Sequence, residues 1–567
     1  MTISHIADSD FLKLLARGEF ISKREKEEIS KYVEKSGKRV SEAIIDMAIM
    51  PDYQVSMLLA DQARIPFIKV GSMKIPQRVL DMIPAKIAKD NRIVPIETSG
   101  STLHIATSDL HQTELFQFLE KKTQMRLEIS LAAESDIKDA LRAYEVPLQQ
   151  KLDIARQAIE SQGQKEAAES ISNLLNDIIY QAALEHASDI HIEPQEDEII
   201  VRIRLDGVLK DIMFLPKTFE DVLITRIKVL ANLKTDEHRA AQDGRIMMEF
   251  PDMDITLRVS IIPIYDGEKV VLRLLSTQGF LNLEGLGYSQ NHLNQLREAS
   301  QKSHGMILVT GPTGSGKTTT LYSVLRILNS RDVNISTIED PIEIRLPGVN
   351  QIQVNNEANL SFANGLRSIL RQDPDIVLVG EIRDTETANI GINAALTGHL
   401  VFATLHTNDA ASSLPRLLEM GIEHFLVAST VNIVIAQRLV RRICPFCITS
   451  ESVPAKKIMN IFEDFEAFDK EHFVSQISSL KGKSKINIYH GAGCDNCNNT
   501  GFRGRLAIAE MIDIDEEIRE LVKEEALPGE IIKVARKKGM ITMMEDGVLK
   551  VLQGLTTPEE VLRVTRE

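Results

Sequence analysis

The residues GPTGSGKT, 311–318, limit the possible folds of this chain more than any other segment. They follow the apolar run MILVT and precede TTTLYSVLRILN, whose spacing predicts a helix. A glycine-rich loop between a buried strand and a helix start is the context that the phosphate-binding pattern G-x-x-x-x-G-K-[ST] requires. The backbone N–H groups of such a turn, and the positive end of the helix behind it, attract phosphate oxygens. Lys317 is then placed for the β- and γ-phosphates and Thr318 for Mg²⁺. The predicted nucleotide contacts are Gly311, Pro312, Thr313, Gly314, Ser315, Gly316, Lys317, Thr318 and Thr319. A turn with an incidental lysine is the competing reading, and the strand–loop–helix context counts against it.

The runs MILVT, ISTIED, DIVLVGE and HLVFATLH alternate with helical stretches, which predicts a mostly parallel sheet with crossover helices. Ligands of open α/β sheets bind at the carboxyl ends of the strands. DIVLVGE brings Glu381 to that edge, ISTIEDPIE brings Glu339, Asp340 and Glu343, and the strand that begins near His399 leads to His406. An acid at a strand end is common, so each is weak evidence alone. Several strands presenting titratable groups at one edge favour chemistry over binding. For either histidine, a hydrogen-bonded structural role competes evenly with a functional one. Glu343 is the candidate general base and Glu381 the candidate organiser of water and Mg²⁺.

A length of 567 residues suggests three or four domains. Residues 1–145 mix helical patterns with strand-like pieces at 65–68, 92–96 and 102–107, predicting an α/β N-terminal domain. Residues 146–170 are polar without a strong apolar stripe and read as a linker, for which a helical form is open. In 171–280, Ile171, Leu174, Leu175, Ile178 and Ile179 repeat at helical spacing. EIIVRIRLDGVLKDI and DITLRVSIIPI then alternate at period two, with turns at Asp206-Gly207 and Asp266-Gly267. That pattern predicts a small α+β domain. The remainder, 281–567, holds the phosphate loop and ends in a stretch, 510–567, that reads as helices. A net charge of −15, 5% aromatic residues and no tryptophan argue against a nucleic-acid binder or a base-stacking surface. The start, MTISHIADSD, lacks the basic and apolar regions of a signal peptide, and no apolar run approaches a membrane span of ~20 residues. A cytoplasmic location follows as the expectation, with any membrane role exercised by docking on something already there.

The motifs together resemble one family, the hexameric ATPases of type II secretion and type IV pilus assembly. IEDPIE resembles its Asp box, LRSILRQDPDIVLVGEIRD its Walker B region, and LTGHLVFATLHTND its His box. The resemblance runs from about residue 171 to the C-terminus and more loosely over the N-terminal domain. It implies a RecA-like P-loop core preceded by a small PAS-like α+β domain and an α/β N-terminal domain. It further implies ATP with Mg²⁺, a homohexamer in which the 171–280 domain closes on the nucleotide, and His406 as a catalytic residue. Arg245, Arg258, Arg367 and Arg371 match the family's motif positions for arginines that stabilise phosphate charge; a surface charge or salt bridge is the plain alternative for each. Period two in DITLRVS turns Arg258 away from Ile255, Leu257 and Val259. By resemblance the partners are an inner-membrane platform protein and a membrane-anchored docking partner, the protein being peripheral on the inner membrane. Type II secretion is the nearer branch and pilus extension the alternative. A P-loop nucleic-acid motor and a nucleotide-controlled binding module are rivals of other classes; DNA-stimulated turnover would mark the first and absence of phosphate release the second.

The chain has only four cysteines, in two CxxC pairs: Cys444 with Cys447, and Cys494 with Cys497. Two such pairs can supply a tetrahedral zinc site. The 46 residues between them exceed the usual spacing of about 15–20, so the pairs would close an inserted subdomain, around 444–505, with helices of its own. A redox role is the weaker reading, because CPFC does not open a helix in a βαβ pattern and the second pair would be unexplained. In the resembling family, secretion and extension ATPases carry such a module and retraction ATPases lack it.

RVSEAIIDMAIMPDYQVSMLLADQ, residues 39–62, resembles half of the pattern by which N-terminal domains of this family bind cyclic di-GMP. Arg39, Val40, Ile44, Val55, Leu59 and Gln62 fall at matching places, but Ser41 replaces a glycine and the preceding half is degraded. Packing of two helices, with Gln62 exposed, is the favoured reading over binding.

Overall fold

The structure, a computed structural model, describes residues 8–144, 148–161, 164–250, 253–275, 283–454 and 485–566, apart from positions 19, 48, 72 and 74. The chain forms two compact units, Met1–Lys151 and Leu152–Glu567.

In the first unit, the helices Asp8–Arg17, Lys23–Ser36, Val40–Asp46 and Asp52–Ala63 pack Phe11, Leu15, Ile29, Ile44 and Val55 into one core. Ser22 and Glu25 form a reciprocal capping box that starts the second helix, and Gly37 ends it in the left-handed conformation. A small sheet follows. Strand β1 (Ile93–Ser99) pairs antiparallel with β2 (Thr102–Thr107), which runs parallel to β3 (Arg126–Leu131). Strand β3 is not expected from the sequence, because its pattern is diluted by the outward-facing Arg126 and Glu128. The piece at 65–68 forms only a bridge from Phe67 to Leu131, with Pro66 able to accept but not donate.

The second unit opens with helices Leu148–Ser161 and Gln164–Leu184. The stretch read as a linker is therefore largely helical, and it buries Leu152 and Ala155. Strands β4 (Asp189–Pro194), β5 (Glu198–Leu205), β6 (Val208–Pro216), β7 (Gln242–Glu249), β8 (Asp254–Ile264) and β9 (Gly267–Leu275) form an antiparallel sheet in the order β6-β5-β4-β9-β8-β7. Asp206 and Gly207 both take positive φ, 48° and 88°, the turn geometry that matches the twist of a hairpin. Along β8, Ile255, Leu257, Val259 and Ile261 are buried while Arg258 is exposed.

The phosphate-loop region forms a seven-stranded sheet from β10 (Gly305–Thr310), β11 (Ile335–Glu339), β12 (Asn350–Gln353), β13 (Ile376–Val379), β14 (Leu400–Leu405), β15 (Val431–Ile443) and β18 (Phe502–Asp513). The order is β12-β11-β13-β14-β10-β15-β18, and all neighbours are parallel except β15 and β18. Both faces are covered. Met306 and Leu308 pack with Val377, Val401 and Val434 in one core, and Ile307 and Val309 with Leu378, Phe402 and Ile433 in the other. That is why these strands read as unbroken apolar runs. Between β15 and β18, the ribbon of β16 (Ile448–Pro454) and β17 (Lys485–Gly491) stands apart. The helices expected in the inserted segment would fall on 455–484, outside the described residues. The tail corrects the reading of 510–567 as helical throughout: its first residues finish β18, and the helices Glu516–Lys523, Pro528–Lys537, Met543–Leu552 and Pro558–Thr565 follow. No helix among the described residues is long and apolar enough to cross a membrane.

Candidate functional site

Strand β10 ends at Thr310 and the helix Lys317–Leu328 starts after one glycine-rich turn. Gly311, Gly314 and Gly316 all have positive φ, at 141°, 79° and 88°. A Cβ on Gly311 would sit 2.4 Å from the carbonyl oxygen of Gln437, so no larger residue fits there. Lys317 Nζ donates to the carbonyl oxygens of Gly311 and Pro312, at 2.7 and 3.1 Å. Burial lowers the Lys317 pKa, and the nearby Glu381 carboxylate opposes the shift. Thr318 and Thr319 occupy the first turn of the helix, and Pro312, Thr313, Ser315 and Gly316 complete the loop. Ser315 is buried, and its Oγ has no hydrogen-bond partner.

The carboxyl edge gathers the acids, but unequally. Glu339 is spent on structure, bonded to Tyr322, to Thr337 at 2.5 Å and to Gln351 at 3.2 Å. Glu343 lies half-buried in the loop beyond β11. Burial raises its pKa; Arg273 and Arg258 pull it down, and Glu339 pushes it further up. Glu381, at the end of β13, accepts from Arg383 Nε at 2.6 Å and lies 3.4 Å from His406 Nε2. His399 instead sits before β14, at the opposite edge of the sheet, with Nδ1 3.0 Å from the Ala394 carbonyl. Of the two histidines, it is the structural one.

Two arginines of the small domain, Arg258 and Arg273, lie near enough for their charges to act on Glu343, and they belong to a row. Arg245 pairs in register with Arg258, Arg258 with Arg273, Arg273 with Asp189, and Asp189 with Arg204. Residues opposite one another share a sheet face, and like charges so placed repel. Asp189 relieves one end of the row, bonding Arg273 at 3.0 Å and Arg204 at 3.3 Å. The run Arg245–Arg258–Arg273 therefore favours an anion. Arg273 escaped the sequence reading, although EKVVLRLL places it on the polar face at period two. Arg383 and Gln437 escaped too; for Gln437 the signal was an amide directly after the apolar run IVIA in VNIVIAQRLV. Arg367 and Arg371 lie elsewhere. Arg367 pairs with Glu386 at 2.5 Å, and Arg371 donates to the Arg367 carbonyl at 3.1 Å. Among the described residues no hydrogen bond joins either one to the phosphate loop.

The four cysteines do meet. Their sulfurs all lie within 4.8 Å of one another, with Cys444–Cys494 and Cys447–Cys497 at 3.8 Å and Cys494–Cys497 at 3.7 Å. A tetrahedral zinc with Zn–S bonds of about 2.3 Å has S–S edges of about 3.8 Å. A disulfide would be far shorter. The backbone N–H groups of Cys494 and Gly501 donate to Cys497 Sγ, each at 3.2 Å. Burial raises the pKa of that thiol, but these N–H groups outweigh it and bring it down to about 7. The donor set fits a structural zinc.

In the first unit, Arg39, Ser41, Glu42, Asp109 and Gln112 line a polar recess of about 310 Å³. Arg39 grips Asp109 through two bonds, at 2.8 and 3.0 Å. Gln62 does not line the recess, and it is half-buried with an unpartnered Oε1, not exposed as expected. Simple helix packing therefore understates this region.

Residues 164–563 match the family described as type II/IV secretion system protein, and residues 63–150 match the MshEN domain. The type IV pilus assembly ATPase PilB of Myxococcus xanthus is 36% identical over 97% of this chain and 98% of its own length. Type II secretion system protein E of Pseudomonas aeruginosa is 46% identical over 70% of this chain and 76% of its own. The solved structure of the Legionella pneumophila ATPase DotB, 23% identical, shares the fold with a TM-score of 0.50 over 69% of this chain and 95% of its own. Sheet and loop define a mixed α/β phosphate-loop fold, the fold that structure shares. The chain belongs to the type II/IV secretion system protein family, and it is an ATP-hydrolysing, secretion- or pilus-associated motor.

Proposed function

We propose that this chain is a homohexameric motor that spends ATP to assemble a type II secretion pseudopilus through an inner-membrane platform, working from the cytoplasmic side. The observation that carries the chemistry is that Glu343, half-buried beyond β11, feels the positive charges of Arg258 and Arg273 from the small domain. The 46% identity of the ATPase region to type II secretion system protein E supports the branch. Pilus extension is the second reading, favoured by the nearly full-length match to PilB.

In this reading residues 311–319 seat the phosphates, with Thr318 holding Mg²⁺. Glu343, kept basic by burial, takes the proton of the attacking water. Glu381, steered by Arg383 and His406, orients that water and the metal. The antiparallel small domain, PAS-like in this reading, closes its arginine row on the developing charge. Arg367, on the helix Phe362–Ile369, and Arg371, just beyond its end, are offered to a neighbouring subunit. The four cysteines hold zinc as a structural knot. The first unit docks on a membrane-anchored partner and takes cyclic di-GMP near Arg39; nucleic acid is not a partner. Glu343→Gln and Glu381→Gln should each keep ATP binding and lose phosphate release. Near-normal turnover in both would refute the assignment. Deleting the gene should abolish export of secreted enzymes but leave surface pili; the reverse outcome selects pilus extension.

A further inference from the structure

Gln437 is 1% exposed in the middle of β15, a strand buried for most of its length. A buried amide costs free energy unless every polar atom is bonded, and a leucine of similar size would avoid that cost. All of its bonds point at the phosphate loop and its supports. Nε2 donates to the Ser315 carbonyl at 2.8 Å, and Oε1 accepts from Thr320 Oγ1 at 3.0 Å and from the Tyr288 hydroxyl. Tyr288 Oη and Thr320 Oγ1 are themselves 2.9 Å apart, so the three side chains gather around the one amide oxygen. The same residue touches the loop at both ends. Its carbonyl oxygen blocks a side chain at Gly311, and its Nε2 would lie 3.1 Å from a Cβ on Gly316.

We infer that Gln437 is a positioning residue that aims the Gly316 N–H at the phosphate seat by holding the Ser315 carbonyl inward. The argument is geometric. In a trans peptide the C=O and the following N–H point in opposite directions. Tying the Ser315 oxygen to the strand beneath the loop therefore turns the Gly316 N–H toward the mouth. Gly314 and Gly316 impose no preference of their own on these peptide planes, so the loop needs an external anchor. Tyr288 and Thr320 keep the amide the right way round, with its donor toward Ser315.

This inference rests on residues 311–319 being the phosphate site, so the experiment separates the two. The dissociation constant of a fluorescent ADP analogue with Mg²⁺ is measured on the full chain, alongside kcat and KM for ATP. Gln437→Leu should weaken binding and raise KM about tenfold, a single misdirected hydrogen bond, while kcat changes less than threefold. Tyr288→Phe should weaken binding about fivefold, and adding it to Gln437→Leu should cost nothing more, because both act through one amide. A folded Gln437→Leu that binds within twofold of the parent, or that loses kcat at unchanged affinity, overturns the inference. If Gln437→Leu does not fold, Tyr288→Phe decides by the same twofold criterion. Lys317→Ala, run in parallel, should abolish binding; if it binds normally, the reading of the loop itself fails with it.

Discussion

The residues of the site divide into those whose chemistry is written in the sequence and those whose role depends on a fold. Lys317, Glu343, Glu381 and His406 could be singled out as candidates because each follows a recognisable strand. Glu339 sits in the same motif as Glu343, yet it is committed to Tyr322, Thr337 and Gln351. Nothing in ISTIEDPIE separates the two acids; only burial and partners do. Arg273 shows the opposite case, an arginine with no motif of its own that becomes relevant through its register with Arg258. Arg273→Ala should lower kcat by 10²-fold or more with a small change in KM, as for a group that meets charge in the transition state. Equal losses in binding and turnover would show instead that it serves the ground state. Because Glu343 has a raised pKa, its activity should fall on the acid side at a higher pH than an ordinary carboxylate would cause. A pH–rate profile of Arg258→Ala, which removes an opposing positive charge, should shift that limb to still higher pH.

At the scale of elements, period and run length exposed β8 and the parallel strands, while β3 and β18 were missed. The first carries charges on its outward face; the second is continuous with a tail that looks helical in the sequence. The helix Pro558–Thr565 is held to β15 by a buried acid. Glu560 is 2% exposed, and its carboxylate accepts from Arg441 Nη2 at 2.7 Å, the Arg441 N–H at 3.0 Å and Arg563 Nη2 at 2.8 Å. Burial alone would raise its pKa, but the two guanidinium groups bring it down to about 2. A depressed carboxyl pKa stabilises the fold above the unfolded value, and that stabilisation is lost as pH falls toward the folded one. The shift corresponds to roughly 3 kcal/mol at neutral pH. Glu560→Gln should lower the melting temperature at pH 7, and its deficit relative to the parent should narrow below pH 4.5. A deficit that is constant with pH would show that the pairing contributes little. In the cysteine knot, plasma emission analysis should find one zinc per chain, lost in Cys494→Ser. Full metal content in that variant would remove Cys494 from the site.

Across the whole molecule, the sequence divided the chain near the boundary between the two compact units and found the motor in the second. It could not show that Arg258 and Arg273 of the small domain come near enough to Glu343 for their charges to act on it, because sheet faces meet only in three dimensions. If Arg367 and Arg371 act across a ring, mixing inactive Lys317→Ala chains with Arg371→Ala chains should restore part of the ATPase activity. Such mixed rings contain sites with one intact loop and one intact neighbour. Mixtures no more active than their parents would confine every site to one chain.

Strand β15 carries Gln437 beneath the phosphate loop, Arg441 against the last helix, and then runs directly into Cys444. At about 3.3 Å per residue, the loop floor and the knot are separated by roughly 23 Å of hydrogen-bonded strand. Strand β18 pairs with this stretch from Gln437 to Ile443, so the knot is fastened to the floor of the phosphate loop through a hydrogen-bonded strand. Cobalt placed at the four cysteines would therefore turn the knot into a coloured gauge, read in visible light, of what occupies the distant loop.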